Sequence, residues 1–238
     1  MKFTLNVDHV ATLRNARGEQ QPDPVTFALM AEQFGVDGIV VHLREDRRHV
    51  KERDVRLLRE MLNTKLDLEM AAVEEIIDIA CDVQPELATL VPEKREELTT
   101  EGGLNVIDNL EHIKLTIERL HESGILVSLF VEPDIEQIDA AKGIYADIIE
   151  IHTGTFANTH SEDDMLIELD RIKIAVQHAK KLGLGVNAGH GLNYNNIKDF
   201  LEVEGIDEVS IGQAVIARSV FVGLEKAVTE MRALIYNR

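Results

Sequence analysis

Three observations on this chain predict an α/β protein built as a single (β/α)8 TIM barrel. Short apolar runs alternate with longer amphipathic ones, giving about eight strand–helix pairs in 238 residues. No linker, low-complexity tract or composition break interrupts the alternation, so residues 1–238 read as one domain. The turn after the first strand reads Asp8-His9-Val10-Ala11-Thr12. It lacks the glycine-rich fingerprint that would favour the competing open, doubly wound sheet.

Taken in order, Phe3–Val7 reads as the first strand, and Pro24–Phe34 has helical spacing. Gly38–His42 is a β-branched run that reads as a fully buried strand, followed by a helix near Glu52–Leu62. Leu66–Met70 leads into the helix Val73–Val83, and Leu87–Val91 is a fourth strand stopped by Pro92. The segment Glu93–Gly103 is long for a chain otherwise joined by short loops. It is expected to form a lid, with Gly102-Gly103 as hinge. A helix near Val106–Ser123, the strand Leu126–Val131 and a helix near Ile135–Lys142 follow. The remaining strands are Asp147–Ile151, Leu184–Asn187 and Glu208–Ile211. Their helices are Glu162–Leu182, Asn195–Glu202 and one running from about Ala214 to Ile235.

Composition narrows the function. A net charge of −18 argues against nucleic acid or an anionic membrane as partner, and requires a local basic pocket for any anionic substrate. The N-terminal stretch has no apolar targeting core and no run is long enough to span a bilayer, so the expectation is a soluble, cytoplasmic protein. Cys81, the one cysteine, excludes an internal disulfide and reads as a core thiol.

Barrel enzymes carry their chemistry at strand C-termini. Those positions here hold Asn6, Asp8, His9, His42, Arg44, Glu69, Glu93, Lys94, Glu132, Glu150, His152, Asn187, His190 and Gly212. Any one of them could be a satisfied structural group. So many on one rim point to catalysis, because buried charge is costly unless paired. After the second strand, Arg44, Arg47, Arg48 and His49 form a basic knot in an acidic chain. A solvated loop paired with Glu45, Asp46 and Glu52 is the bland alternative to an anion site. The turns Gly189-His190-Gly191 and Gly212-Gln213 follow the seventh and eighth strands, where barrels commonly cradle phosphate on a helix N-terminus. Two anion sites suggest a pair of phosphorylated substrates.

The acid–base inventory is His42, Glu69, Glu150, His152 and His190. No strand ends inward on lysine except for the candidate Lys94, which disfavours a Schiff-base aldolase. Histidines and carboxylates are spread singly, so no local spacing supports a metal site. What remains is carbonyl and amine chemistry run by proton transfer, with a silent sugar-phosphate sensor and a single-substrate isomerase or aldolase as alternatives.

The segments NVDHVATLRNARG, VHLREDRRH, LEMA, VPEKREELTTEGG, EIHTG, VNAGHGLNY and IGQAVIARSV, in unbroken order over nearly the whole chain, resemble the pyridoxine 5′-phosphate synthase family. The resemblance implies a (β/α)8 barrel with extra helices, assembled as a homo-octamer. It implies condensation of 1-deoxy-D-xylulose 5-phosphate with 3-amino-2-oxopropyl phosphate to pyridoxine 5′-phosphate, phosphate and water, with no metal or organic cofactor. By it, His42 and Glu69 are proton acceptors, His190 is the proton donor and Glu150 stabilises the transition state. Asn6, Arg17, Gly191, Gly212 and Gln213 hold the amino-ketone phosphate. Asp8, His9, Arg44, His49 and Thr99 hold the deoxyxylulose phosphate. Arg17 and Thr99 rest on the resemblance alone. The chain departs from the family at Gln213, where histidine is usual, exchanging a titrating donor for a neutral one.

Overall fold

The structure, a computed structural model, describes residues 1–93 and 102–236. Eight strands, all parallel, close into a barrel in sequence order. They are β1 (Lys2–Asn6), β2 (Gly38–His42), β3 (Lys65–Met70), β4 (Leu87–Leu90), β5 (Leu126–Val131), β6 (Ile148–His152), β7 (Gly185–Gly189) and β8 (Glu208–Ile211). The seam between β8 and β1 pairs Leu5 with Ile211.

The helices are α1 (Asp8–Arg17), α2 (Pro24–Gln33), α3 (Glu52–Met61), α4 (Glu74–Val83), α5 (Leu110–Glu122), α6 (Ile135–Gly143), α7 (Gly154–Ala157), α8 (Glu162–Lys181), α9 (Ile197–Phe200), α10 (Gln213–Val222) and α11 (Leu224–Tyr236). Some starts follow capping chemistry. Asp23 and Asp134 accept the N–H groups of Val25 and Glu136 at 2.8 Å, and Pro24 opens α2 where its missing N–H costs nothing.

The helices depart from the sequence expectation in three places, one of them the short, unexpected α7. α1 starts directly off β1, with no side-chain cap to announce it, and ends on Gly18 in the left-handed region at φ 67°. The expected helix 214–235 is two helices, because Gly223 sits at φ 83° between α10 and α11. That break lets α11 pack against α9 and α2, where the Tyr194 hydroxyl donates to the Ala227 carbonyl at 2.8 Å.

The hydrophobic core lies between barrel and helices, and each fully buried Leu-sized side chain contributes about 1.5–3 kcal/mol. On β3, Leu66, Leu68 and Met70 join that layer. The alternate residues Lys65, Asp67 and Glu69 face the barrel interior. That interior is polar: Lys65 Nζ reaches Glu208 on β8 at 2.6 Å, and the Thr89 hydroxyl donates to Asp67 at 2.8 Å. Burial, with Glu208 adding to it and Lys65 opposing, raises the Asp67 carboxyl to about 7.

Candidate active site

A cavity of about 670 Å³ opens at the C-terminal ends of the strands. Asn6, Asp8, His9, His42, Arg44, His49, Glu69, Glu150, His190, Gly191, Gly212 and Gln213 all line it. Of the predicted site residues that the structure describes, one is not brought there. Arg17 sits exposed on the last turn of α1, away from the cavity lining. Thr99 lies outside the described residues, as do Lys94 and most of the segment read as a lid.

The acid–base groups form a row. Glu93 Oε1 stands 2.8 Å from His42 Nε2, and Glu69 Oε2 stands 3.8 Å from His42 Nδ1, too far for a hydrogen bond. Burial raises the Glu93 carboxyl, but the bond from His42, its charge and the Glu45 N–H outweigh it and leave the net shift downward. Glu93 is therefore a carboxylate acceptor, and in the neutral tautomer of His42 it places the ring proton on Nε2. Nδ1 then presents a lone pair towards Glu69. Glu69 is pushed well above the usual carboxylate range, by burial first and then by Asp8, Glu150 and Asp67. Glu150 is raised too, by burial and by Asp67 and Glu208. A protonated carboxyl facing a free imidazole nitrogen is an arrangement for moving one proton either way.

Asp8 frames this row. Its Oδ1 accepts the His42 N–H at 2.8 Å, and its Oδ2 accepts from the Asn6 amide at 3.0 Å. Among the described residues, Asp8, His42 and Glu69 also offer ligand atoms within 4.8 Å of one another, a spacing that a divalent cation could use. No local spacing announces it, because the three groups come from separate strand ends.

One end of the cavity is basic. The knot after β2 is divided: Arg44, Arg48 and His49 line the cavity, while Arg47 turns away to Glu52 (2.8 Å) and Glu75. The His49 Nδ1 accepts the Val50 N–H at 2.9 Å, so its neutral ring carries the proton on Nε2. Burial lowers its proton affinity and favours that neutral form. α1 holds the loop in place. Arg14 is bidentate to Asp54 at 2.8 and 2.9 Å and reaches the His49 carbonyl at 3.1 Å, and the Asn15 amide donates to the Arg48 and His49 carbonyls.

The turn after β8, one strand away across β1, is built from backbone. Gly212 precedes α10, whose first N–H groups face the cavity beside Gln213 and Ala214. A Cβ on Gly212 would lie 2.9 Å from that of Asn6, so only glycine lets β1 and this turn meet. Gly191, at φ 84°, has no room for a Cβ either, because Ala157 would be 2.5 Å away. Glu150 leans over Gly189, where an added Cβ would meet its Oε1 at 2.2 Å.

The family described as "Pyridoxal phosphate biosynthesis protein PdxJ" matches residues 3–237. The chain belongs to this family. Among curated PdxJ relatives, the "Pyridoxine 5'-phosphate synthase" of Geobacter sp. (strain M21) is 55% identical over 234 residues, covering 98% of both chains. That of Chlorobium phaeobacteroides is 55% identical over 235 residues, covering 99% of this chain and 100% of its own. Among solved structures, the N-(5'-phosphoribosyl)anthranilate isomerase of Pyrococcus furiosus superposes with a TM-score of 0.65 at 16% identity, with full coverage of both chains. That likeness concerns the barrel fold alone. Among the described residues, no helix is long and apolar enough to cross a membrane.

Sequence reasoning placed Glu93, Glu132 and His152 at strand ends without giving them partners, and it missed Arg14, Asn15 and Asp67. The alternation Lys65-Leu66-Asp67-Leu68-Glu69 is the signal that marks Asp67 as inward-facing.

Proposed function

We propose that this PdxJ-family chain is a pyridoxine 5′-phosphate synthase, a condensing, transferase-type enzyme. It joins 1-deoxy-D-xylulose 5-phosphate and 3-amino-2-oxopropyl phosphate, releasing phosphate and water. The observation that carries the reading is one cavity lined by the basic loop after β2, the helix N-terminus after β8, and the side chains of His42 and Glu69, with Glu93 bonded to His42. Arg44, Arg48, His49 and His9 suit the deoxyxylulose phosphate. The Gly212–Ala214 turn with Asn6 and Gly191 suits the amino-ketone phosphate.

Between them the substrate amine adds to the substrate ketone. Water leaves after protonation of the carbinol oxygen, which His190 is placed to supply. Abstraction of a carbon-bound proton next to the resulting imine belongs to His42 and Glu69. Elimination of phosphate and ring closure follow. Glu150 faces the same space as a neutral carboxylic acid, a hydrogen-bond donor to developing oxyanion charge. The reading carries a cytoplasmic protein, no resident metal or organic cofactor, and a homo-octamer whose mass sedimentation would measure.

The deciding experiment incubates the purified protein with both substrates, following phosphate release and pyridoxine 5′-phosphate fluorescence together. Stoichiometric appearance of both supports the reading. Turnover of the deoxyxylulose phosphate alone would replace it with an isomerase or lyase.

A further inference from the structure

Beside the Glu93–His42–Glu69 row, a second carboxylate–imidazole pair stands at the ends of β5 and β6. Glu132 Oε1 lies 2.7 Å from His152 Nδ1 and also accepts the Gly103 N–H at 3.0 Å. The His152 side chain is 5% exposed, and its ring meets the His190 ring edge-on, with centroids 5.1 Å apart and planes at 64°. Phe130 closes on His152 at 5.2 Å. Both imidazoles press on Gly154: a Cβ there would lie 2.3 Å from His152 Nε2 and 3.1 Å from His190 Cδ2. His190 is held at φ 79°, and its carbonyl accepts from the Thr153 hydroxyl at 2.6 Å. The backbone of β6 and the ring that ends it thus grip His190 together. His190 lines the cavity, and neither His152 nor Glu132 does.

We propose that His152 and Glu132 are positioning residues for His190, His152 fixing the ring through its edge contact and Glu132 fixing His152 and balancing its charge. The inference rests, for its bearing on turnover, on the reading of His190 as proton donor.

The electrostatics follow from the contacts. The bond from His152 and that from Gly103 hold the Glu132 carboxyl below its usual range, so it is charged at neutral pH and orders the His152 ring by accepting from Nδ1. His190 has its proton affinity lowered by burial and then by His152, while Glu132 works the other way. His152 on β6 and Glu132 just after β5 are the two charged-group partners acting on it; His9, Arg48 and Glu150 share the cavity. Beneath the larger effect of burial, the pair therefore adjusts the pH at which His190 still has a proton to give.

Two substitutions separate this role from mere support. His152→Asn keeps an N–H for Glu132 but deletes the ring that works against the His190 proton, so His190 should hold its proton to higher pH. Glu132→Gln keeps an acceptor for His152 but deletes the negative charge, so His190 should release its proton at lower pH. Shifts of about half a pH unit or more are expected. Histidine-labelled protein, with the His190 resonance assigned through His190→Gln, gives its titration directly in wild type and both variants. The upper pH limb of kcat/KM is then recorded on the same proteins.

Opposite displacements of the His190 titration, mirrored in the kinetic limb, are the expected result. If the titration moves in opposite directions and the limb stays put, the positioning role stands and the proton-donor reading falls. An unmoved titration, or the same direction in both variants, overturns the inference. Should one variant fail to fold, the sign of the other decides alone.

Discussion

Arg14 gives the most direct test of how the basic loop is held over the cavity. Its side chain is 7% exposed and makes a bidentate contact, at 2.8 and 2.9 Å, with an Asp54 carboxylate that is fully buried. Arg14→Met keeps the apolar stem and removes the guanidinium. Asp54 is then left with the Lys51 N–H at 3.0 Å and Arg53 at 3.0 Å. Breaking a buried pair from one side costs about 3–5 kcal/mol. Arg53 still faces one carboxylate oxygen but is 55% exposed, so the lower end, about 3 kcal/mol, is expected. With an m-value of roughly 3 kcal/mol/M, the urea midpoint should fall by about 1 M. Adding Asp54→Leu removes the stranded charge, so the double variant should regain part of the loss. Unfolding followed by circular dichroism at fixed protein concentration measures each case. A single-variant loss under about 1 kcal/mol, the range of an exposed pair, would refute the argument. So would a double variant that is less stable than Arg14→Met alone.

The other predictions concern the cavity and the barrel interior. The folded state holds a proton on Asp67 to pH about 7, against an ordinary 3.8, so stability should decline as pH rises through that window, by on the order of 4 kcal/mol. Asp67→Asn keeps an acceptor for Thr89 and should flatten that slope in pH-dependent urea titrations; an unchanged slope would count against the assignment. Glu69→Gln should leave substrate binding intact and lower kcat roughly 10²-fold or more, and a wild-type rate would remove Glu69 from proton transfer. Gln213→His should tighten pyridoxine 5′-phosphate binding at pH about 6, because a charged hydrogen bond contributes about 1.5–3 kcal/mol against about 1 for a neutral one. The gain should shrink by pH about 8, and identical calorimetric profiles for the two proteins would show that residue 213 does not meet the phosphate through a titrating group.

The sequence made legible whatever short-range patterning controls. Strand β2 was readable residue by residue because its β-branched run is bounded by Gly38 and His42. The rim followed from knowing that strand C-termini converge. Lost were features set by groups distant in the chain. Arg14 meets Asp54 forty positions away, and His42 meets Glu93 only when β2 and β4 lie in one barrel. Helix α1 escaped because its opening carries no side-chain cap, and the basic knot looked uniform because nothing local says that Arg47 points at Glu75 while Arg48 points inward. The split at Gly223 was readable in principle, since an isolated glycine late in a helical pattern is a stop signal, but the apolar spacing on both sides concealed it.

The seam between β1 and β8 fixes the order in time in which the molecule can become active. Asn6 and Gly212, whose backbones touch there, are separated by almost the whole length of the chain. A ribosome must release nearly all of the polypeptide before the two can meet. Until then β1 and the newest strand each present an unpaired row of N–H and C=O groups, the kind of surface on which chains aggregate. The backbone cradle at Gly212 is therefore among the last parts of the protein to exist. Any anion that bound at that turn would favour the closed ring over the open one by mass action, and so strengthen the longest-range strand pairing in the fold.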